Sequence, residues 1–116
     1  MDVLLVRADA LAALSMAGQL ARAGHRAKAI AYGPETALRL AREVRFGGAV
    51  LERRLGTQRL GHELTGELRR RGVRIVWVGE EGHDIPLAGE PELGDNPTAV
   101  EIDAALSPRM ALQAAC

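Results

Sequence analysis

Short, wholly apolar runs alternate with helical stretches along this chain, and that alternation restricts its fold more than any other feature. Val3-Leu4-Leu5-Val6, Gly48-Ala49-Val50-Leu51 and the run from Val73 to Val78 have few or no polar positions. A strand covered on both faces reads this way, whereas a half-exposed strand alternates. Ala27 to Tyr32 is a weaker strand, since alanine forms strands poorly. Ile85-Pro86-Leu87-Ala88 is a short fifth strand.

Helical spacing fills the gaps. Leu11, Leu14, Ala17 and Ala21 form one stripe, with Asp9 ahead as the cap and Gly24 as the stop. Pro34 opens a second helix with Ala37, Leu40, Ala41 and Val44 on its buried side. Leu60, Leu64 and Leu68 mark a third that ends at Arg71-Gly72, and Asn96-Pro97 starts a last one with Val100 and Leu106 inward. Strands joined by helices demand right-handed crossovers and a parallel sheet covered on both faces. The expected fold is α/β: a flavodoxin-like, doubly wound sheet of five parallel strands in the order 2-1-3-4-5, as one domain over residues 1–116. Only ten residues separate Gly79 from Glu90, so a helix between the fourth and fifth strands is shortened or missing.

Composition narrows the function. The lone cysteine, Cys116, excludes a disulfide framework and a cysteine metal cage. No apolar run is long enough to span a membrane, and Met1 to Arg7 lacks the basic region and cleavage site of a signal peptide, which points to the cytoplasm. The 15 Lys+Arg and 15 Asp+Glu balance, which argues against general nucleic-acid binding. The balance hides a split: residues 1–74 hold 14 of the basic residues against 7 acids, and residues 75–116 hold one against 8. Such asymmetry steers partners or favours self-association. His25, His62 and His83 have no nucleophile or carboxylate at catalytic spacing, so no catalytic residue and no metal or cofactor site is assigned.

In a doubly wound sheet, sites lie at the carboxyl ends of the strands. The positions there are Arg7 and Ala8, Glu52, Gly79 and Glu90. Along essentially its whole length the chain resembles the receiver domain of bacterial response regulators. The resemblance rests on Val3-Leu4-Leu5-Val6, Gln19-Leu20-Ala21-Arg22-Ala23-Gly24-His25, Gly33-Pro34-Glu35-Thr36-Ala37-Leu38, Leu51-Glu52-Arg53-Arg54-Leu55-Gly56, Glu67-Leu68-Arg69-Arg70-Arg71-Gly72-Val73 and Ile85-Pro86-Leu87-Ala88-Gly89-Glu90-Pro91. It implies two acids after the first strand holding Mg²⁺, a phosphoacceptor aspartate after the third, a hydroxyl after the fourth, and a lysine before a proline after the fifth.

At the matching positions stand Arg7 and Ala8 for the acids, Glu52 for the aspartate, Gly79 for the hydroxyl and Glu90 for the lysine. A hard cation needs oxygen ligands, and a phosphoryl group needs compensating positive charge. The expectation is therefore a pseudo-receiver, without the phosphorelay chemistry, in which Arg7 bridges Glu52, Glu90 or both by its planar fork. Such a module works in signal transduction by contact with a protein: a histidine kinase, a regulator or a second copy in a homodimer. The other reading is a phosphate-ligand or cyclic-dinucleotide binder using Arg53, Arg54 and Arg59, with Arg69, Arg70, Arg71 and Arg74 close by in sequence.

Overall fold

The structure, a computed structural model, describes residues 1–53, 62–79 and 89–107. Its elements are β1 (Asp2–Val6), α1 (Ala10–Arg22), β2 (Arg26–Ala31), α2 (Pro34–Glu43), β3 (Gly48–Glu52), α3 (His62–Arg70), β4 (Arg74–Val78) and α4 (Ala99–Leu106). The strands pair in parallel in the order β2-β1-β3-β4. Side chains alternate across this sheet and build two cores. Leu4, Val6, Leu51, Ile75 and Trp77 pack with Ala37, Ala41, Leu64 and Leu68 of α2 and α3. Val3, Leu5, Val50, Val76 and Val78 pack with Ala13, Met16, Leu20, Ile102 and Leu106 of α1 and α4. Both faces of β1, β3 and β4 are thus covered, which is why their sequences do not alternate.

Asp9 caps α1 through its carboxylate, which accepts from the Ala12 amide at 3.0 Å. Gly24 adopts φ +85°, the left-handed turn that lets the His25 amide reach the Leu20 carbonyl and end the helix. Thr98 and Glu101 form a reciprocal capping box that starts α4 two residues later than Asn96-Pro97 suggests.

Two expectations fail on the helices. The buried stripe of α1 is Ala13, Met16 and Leu20, while Leu11 and Leu14 are 77% and 61% exposed. In α4 Ile102, Ala105 and Leu106 turn inward and Val100 faces out. The cause in α1 is that both stripes are apolar, so hydrophobicity alone does not choose between them.

The five-stranded sheet is also corrected: the described residues contain four strands. The run expected as the fifth, residues 85–88, and the region of the shortened helix lie outside the described residues. Among the described residues, the outer edge of β4 is met by the backbone of residues 91–94. The Trp77 amide donates to the Pro91 carbonyl at 2.9 Å, the Leu93 amide to the Trp77 carbonyl at 2.7 Å, and the Gly79 amide to the Gly94 carbonyl at 3.3 Å. Only the Trp77–Glu92 bridge results, running parallel. Pro91 has no N–H to donate and no apolar alternation marks this stretch, so neither a ladder nor a sequence signal develops.

Candidate functional site

The order β2-β1-β3-β4 changes winding direction between β1 and β3, and a doubly wound sheet places its crevice at the carboxyl ends there. Arg7 leaves β1 at this point, and its amide donates to the Ala31 carbonyl at 3.1 Å. Its side chain is buried, with the whole residue only 4% exposed. The guanidinium spends its fork on Asp95: Nη2 donates to Oδ1 at 2.9 Å and Nη1 to the backbone carbonyl at 3.1 Å. Its Nε faces Glu52 Oε2 at 3.4 Å as an ion pair. That contact is too poorly aligned to count as a hydrogen bond, and both atoms are buried without a hydrogen-bond partner.

Glu52 ends β3, and Gly79 follows β4 with φ +91°. A Cβ built on Gly79 would lie 3.7 Å from both Glu52 Cγ and Asp95 Oδ1. The position where the resemblance implies a hydroxyl therefore has a backbone that only glycine adopts without strain. Gly79→Ala is expected to cost about 1 kcal/mol, read as a lower urea midpoint at unchanged slope; an unchanged midpoint would show that the backbone relaxes freely here.

Of the residues expected to converge, the structure brings Arg7, Glu52 and Gly79 together, with Ala8 exposed beside them. Glu90 is elsewhere, and this corrects the expected Arg7–Glu90 contact. Its carboxylate accepts from Arg69 Nη2 at 2.8 Å, Arg69 Nε at 2.9 Å and the indole Nε1 of Trp77 at 3.1 Å. The reason is topological. Residues 91–94 run beside β4 towards its carboxyl end, so Glu90 enters from below and Asp95 emerges at the site edge. Asp95 is the residue that sequence reasoning missed. The usable signal was Asn96-Pro97 ahead of the last helix, a second X-Pro pair competing with Glu90-Pro91 for the place of the lysine and proline.

The arginines expected to bind phosphate are mostly engaged. Arg53 Nη1 lies 2.6 Å from Glu92 Oε1, although its Nε is buried without a partner. Arg54 and Arg59 lie outside the described residues. Arg69 holds Glu90, and that hydrogen bond raises its pKa above the ordinary value. Arg70 and Arg71 both pair with Glu67. Burial pushes the Glu67 carboxyl up, but the Arg71 hydrogen bond and the two neighbouring charges outweigh it and leave the pKa lowered. Arg74 Nε donates to the Ala105 carbonyl at 3.0 Å, in the last turn of α4.

The chemistry of the edge follows from its charges. A divalent cation of the kind the resemblance implies takes several oxygen ligands. Here a guanidinium already holds both carboxylates, and Ala8 offers no side-chain oxygen. These residues do not fit such an ion. Glu52 faces a fixed positive charge in its place.

No protein-family profile and no curated protein matches the chain. Solved structures do. SdrG from Sphingomonas melonis Fr1 superposes with a TM-score of 0.77 at 19% identity, over 91% of this chain and 92% of that one. A response regulator from Burkholderia pseudomallei, solved with a phosphorylated aspartic acid, calcium and citrate, gives 0.73 at 19% identity, over 98% of this chain and 71% of that one. The receiver domain of a sensor histidine kinase from Pseudomonas aeruginosa, with magnesium in its active-site cleft, gives 0.66 at 19% identity, over 90% and 93%. Among the described residues no helix is long and apolar enough to cross a membrane. The chain has the fold of a response-regulator receiver domain.

Proposed function

We propose that this chain is a pseudo-receiver: a signalling module that keeps the receiver fold, has exchanged phosphoryl chemistry for a standing ion pair, and acts through contact with another protein. The observation that carries this reading is the buried Arg7 guanidinium, set between Glu52 and Asp95. In a receiver that switches, metal and phosphate bring charge to this edge when the signal arrives. Here positive charge is built in, held by an Arg fork that does not dissociate. Gly79 adds no hydroxyl to sense a phosphoryl oxygen. The module is not an enzyme in this reading, and its partners are a histidine kinase, a regulator or a second copy.

The test is direct. Incubated with acetyl phosphate and Mg²⁺ beside an ordinary receiver as control, the protein is expected to keep its intact mass while the control gains a phosphoryl group. Uptake of one phosphoryl group, mapped to Glu52, would falsify the proposal.

A further inference from the structure

Beyond three backbone hydrogen bonds, residues 90–95 are fastened to the molecule mainly by charge. Each of their three acids meets an arginine from a different part of the fold. Glu90 accepts from two donors of Arg69 on α3, and Asp95 takes the fork of Arg7 after β1. Between them Glu92 Oε1 lies 2.6 Å from Nη1 of Arg53, which follows β3. Leu93 is the one residue of this segment that joins a hydrophobic cluster.

The two sides of these pairs differ. The Arg7 and Arg53 side chains are only 5% and 14% exposed, and the Nε of each is buried without a hydrogen-bond partner. The Glu92 and Asp95 side chains are 51% and 63% exposed, so water readily replaces the guanidinium when either pair opens. The backbone is under-bonded as well. A parallel ladder that runs the Leu93 amide to the Trp77 carbonyl runs the amide two residues earlier to the Ile75 carbonyl. That earlier residue is Pro91, which has no N–H. The arginines are fixed and incompletely used, and the segment lying on them is a weak ligand for its own site.

We infer that the outer edge of β4, with Arg69, Arg53 and Arg7 along it, docks an extended acidic segment of a partner protein. Residues 90–95 occupy that edge in the partner's absence. The occupant states the chemistry. Glu90 and Glu92 stand two apart, the strand repeat that puts both side chains on one face, while Leu93 turns to the other and Asp95 reaches the strand end. A partner segment reading acid, any residue, acid, apolar, any residue, acid repeats these contacts. With any residue but proline at its second position it adds the bond to Ile75. Main-chain pairing along a sheet edge then provides affinity, and the alternate side chains provide specificity.

The inference rests on the reading of a module that acts by protein contact, and not on the inertness of Glu52, so the acetyl phosphate and peptide results are independent. The experiment is fluorescence anisotropy with two labelled peptides. One is residues 89–96 with Pro91→Val; the other adds Glu90→Gln, Glu92→Gln and Asp95→Asn. Each is titrated with the wild type and with Glu92→Gln/Asp95→Asn, whose own segment is held less firmly, and thermal melts confirm that both proteins fold. The acidic peptide is expected to bind the variant at least about tenfold tighter than the wild type, because the intact segment competes at high effective concentration. Raising the salt should weaken this binding, and the amide peptide should not saturate either protein. Adding Arg53→Ala to the variant should weaken binding at least about tenfold, whereas Arg45→Ala, an exposed arginine before β3 at the opposite end of the sheet, should not. Failure of the acidic peptide to bind, or equal binding of the amide peptide, overturns the inference even if Arg53→Ala does not fold. Binding that a folded Arg53→Ala leaves unchanged overturns it too.

Discussion

Arg7→Ala is expected to cost about 3 kcal/mol of stability and lower the melting temperature by roughly 10 °C. The two halves of the Arg7 cluster contribute unequally. The Asp95 side chain is 63% exposed, so water compensates it readily when the guanidinium goes. The Glu52 side chain is only 13% exposed and would be left as a largely desolvated charge. The penalty therefore resides mainly in Glu52, and that is separately testable. Adding Glu52→Gln to Arg7→Ala should return part of the lost stability, with a coupling above about 1 kcal/mol in the double-mutant cycle. Arg7→Lys should fall between, since it keeps the charge but cannot hold Asp95 by two donors while facing Glu52 with a third. If Arg7→Ala melts like the wild type, the guanidinium is not what balances this edge, and the pseudo-receiver reading loses its main support.

That Arg7 and Glu52 meet was legible because it depends on topology alone. β1 and β3 each announce themselves by an uninterrupted apolar run, a doubly wound order makes them neighbours, and their next polar residues emerge side by side. The place of Glu90 was not legible, because it depends on which residues lie beside β4. Ile85 to Ala88 has the apolar character of a strand, whereas Pro91 to Gly94 has only Leu93 to pack on a core, yet the latter supplies the backbone partners of Trp77 and Gly79. An edge segment joined by one bridge needs no hydrophobic period, so periodicity is silent where the alignment of Asp95 is decided. The inward face of α1 was obscure for the opposite reason. Too many of its residues are apolar, and only the packing of Ala13, Met16 and Leu20 on the sheet distinguishes core from surface.

The segment that carries Asp95 to the site is anchored on the far face of the sheet by Trp77, Glu90 and Arg69, and Glu90→Ala is expected to loosen it at a cost of about 2 kcal/mol. Trp77 is fully buried, and its indole N–H donates to Glu90 Oε1. Arg69 grips both oxygens of the same carboxylate, the paired geometry that makes such bonds strong. Removing the carboxylate strands a buried donor and frees the end of α3 from residues 89–92 in one step. Glu90→Gln keeps an acceptor for the indole but gives up the charge, so it should recover part of the loss. Trp77 is the only tryptophan in the chain, which turns the substitution into a spectroscopic experiment. The emission maximum of Glu90→Ala should move to longer wavelength and its iodide quenching should rise, as water gains the side of β4 that residues 91–94 cover. Because the same backbone presents Asp95 to Arg7, combining Glu90→Ala with Arg7→Ala should cost less than the two separately: each releases one end of a single tether. Strictly additive losses would mean that the Trp77 anchor and the Arg7 edge are independent, and that the segment between them transmits nothing.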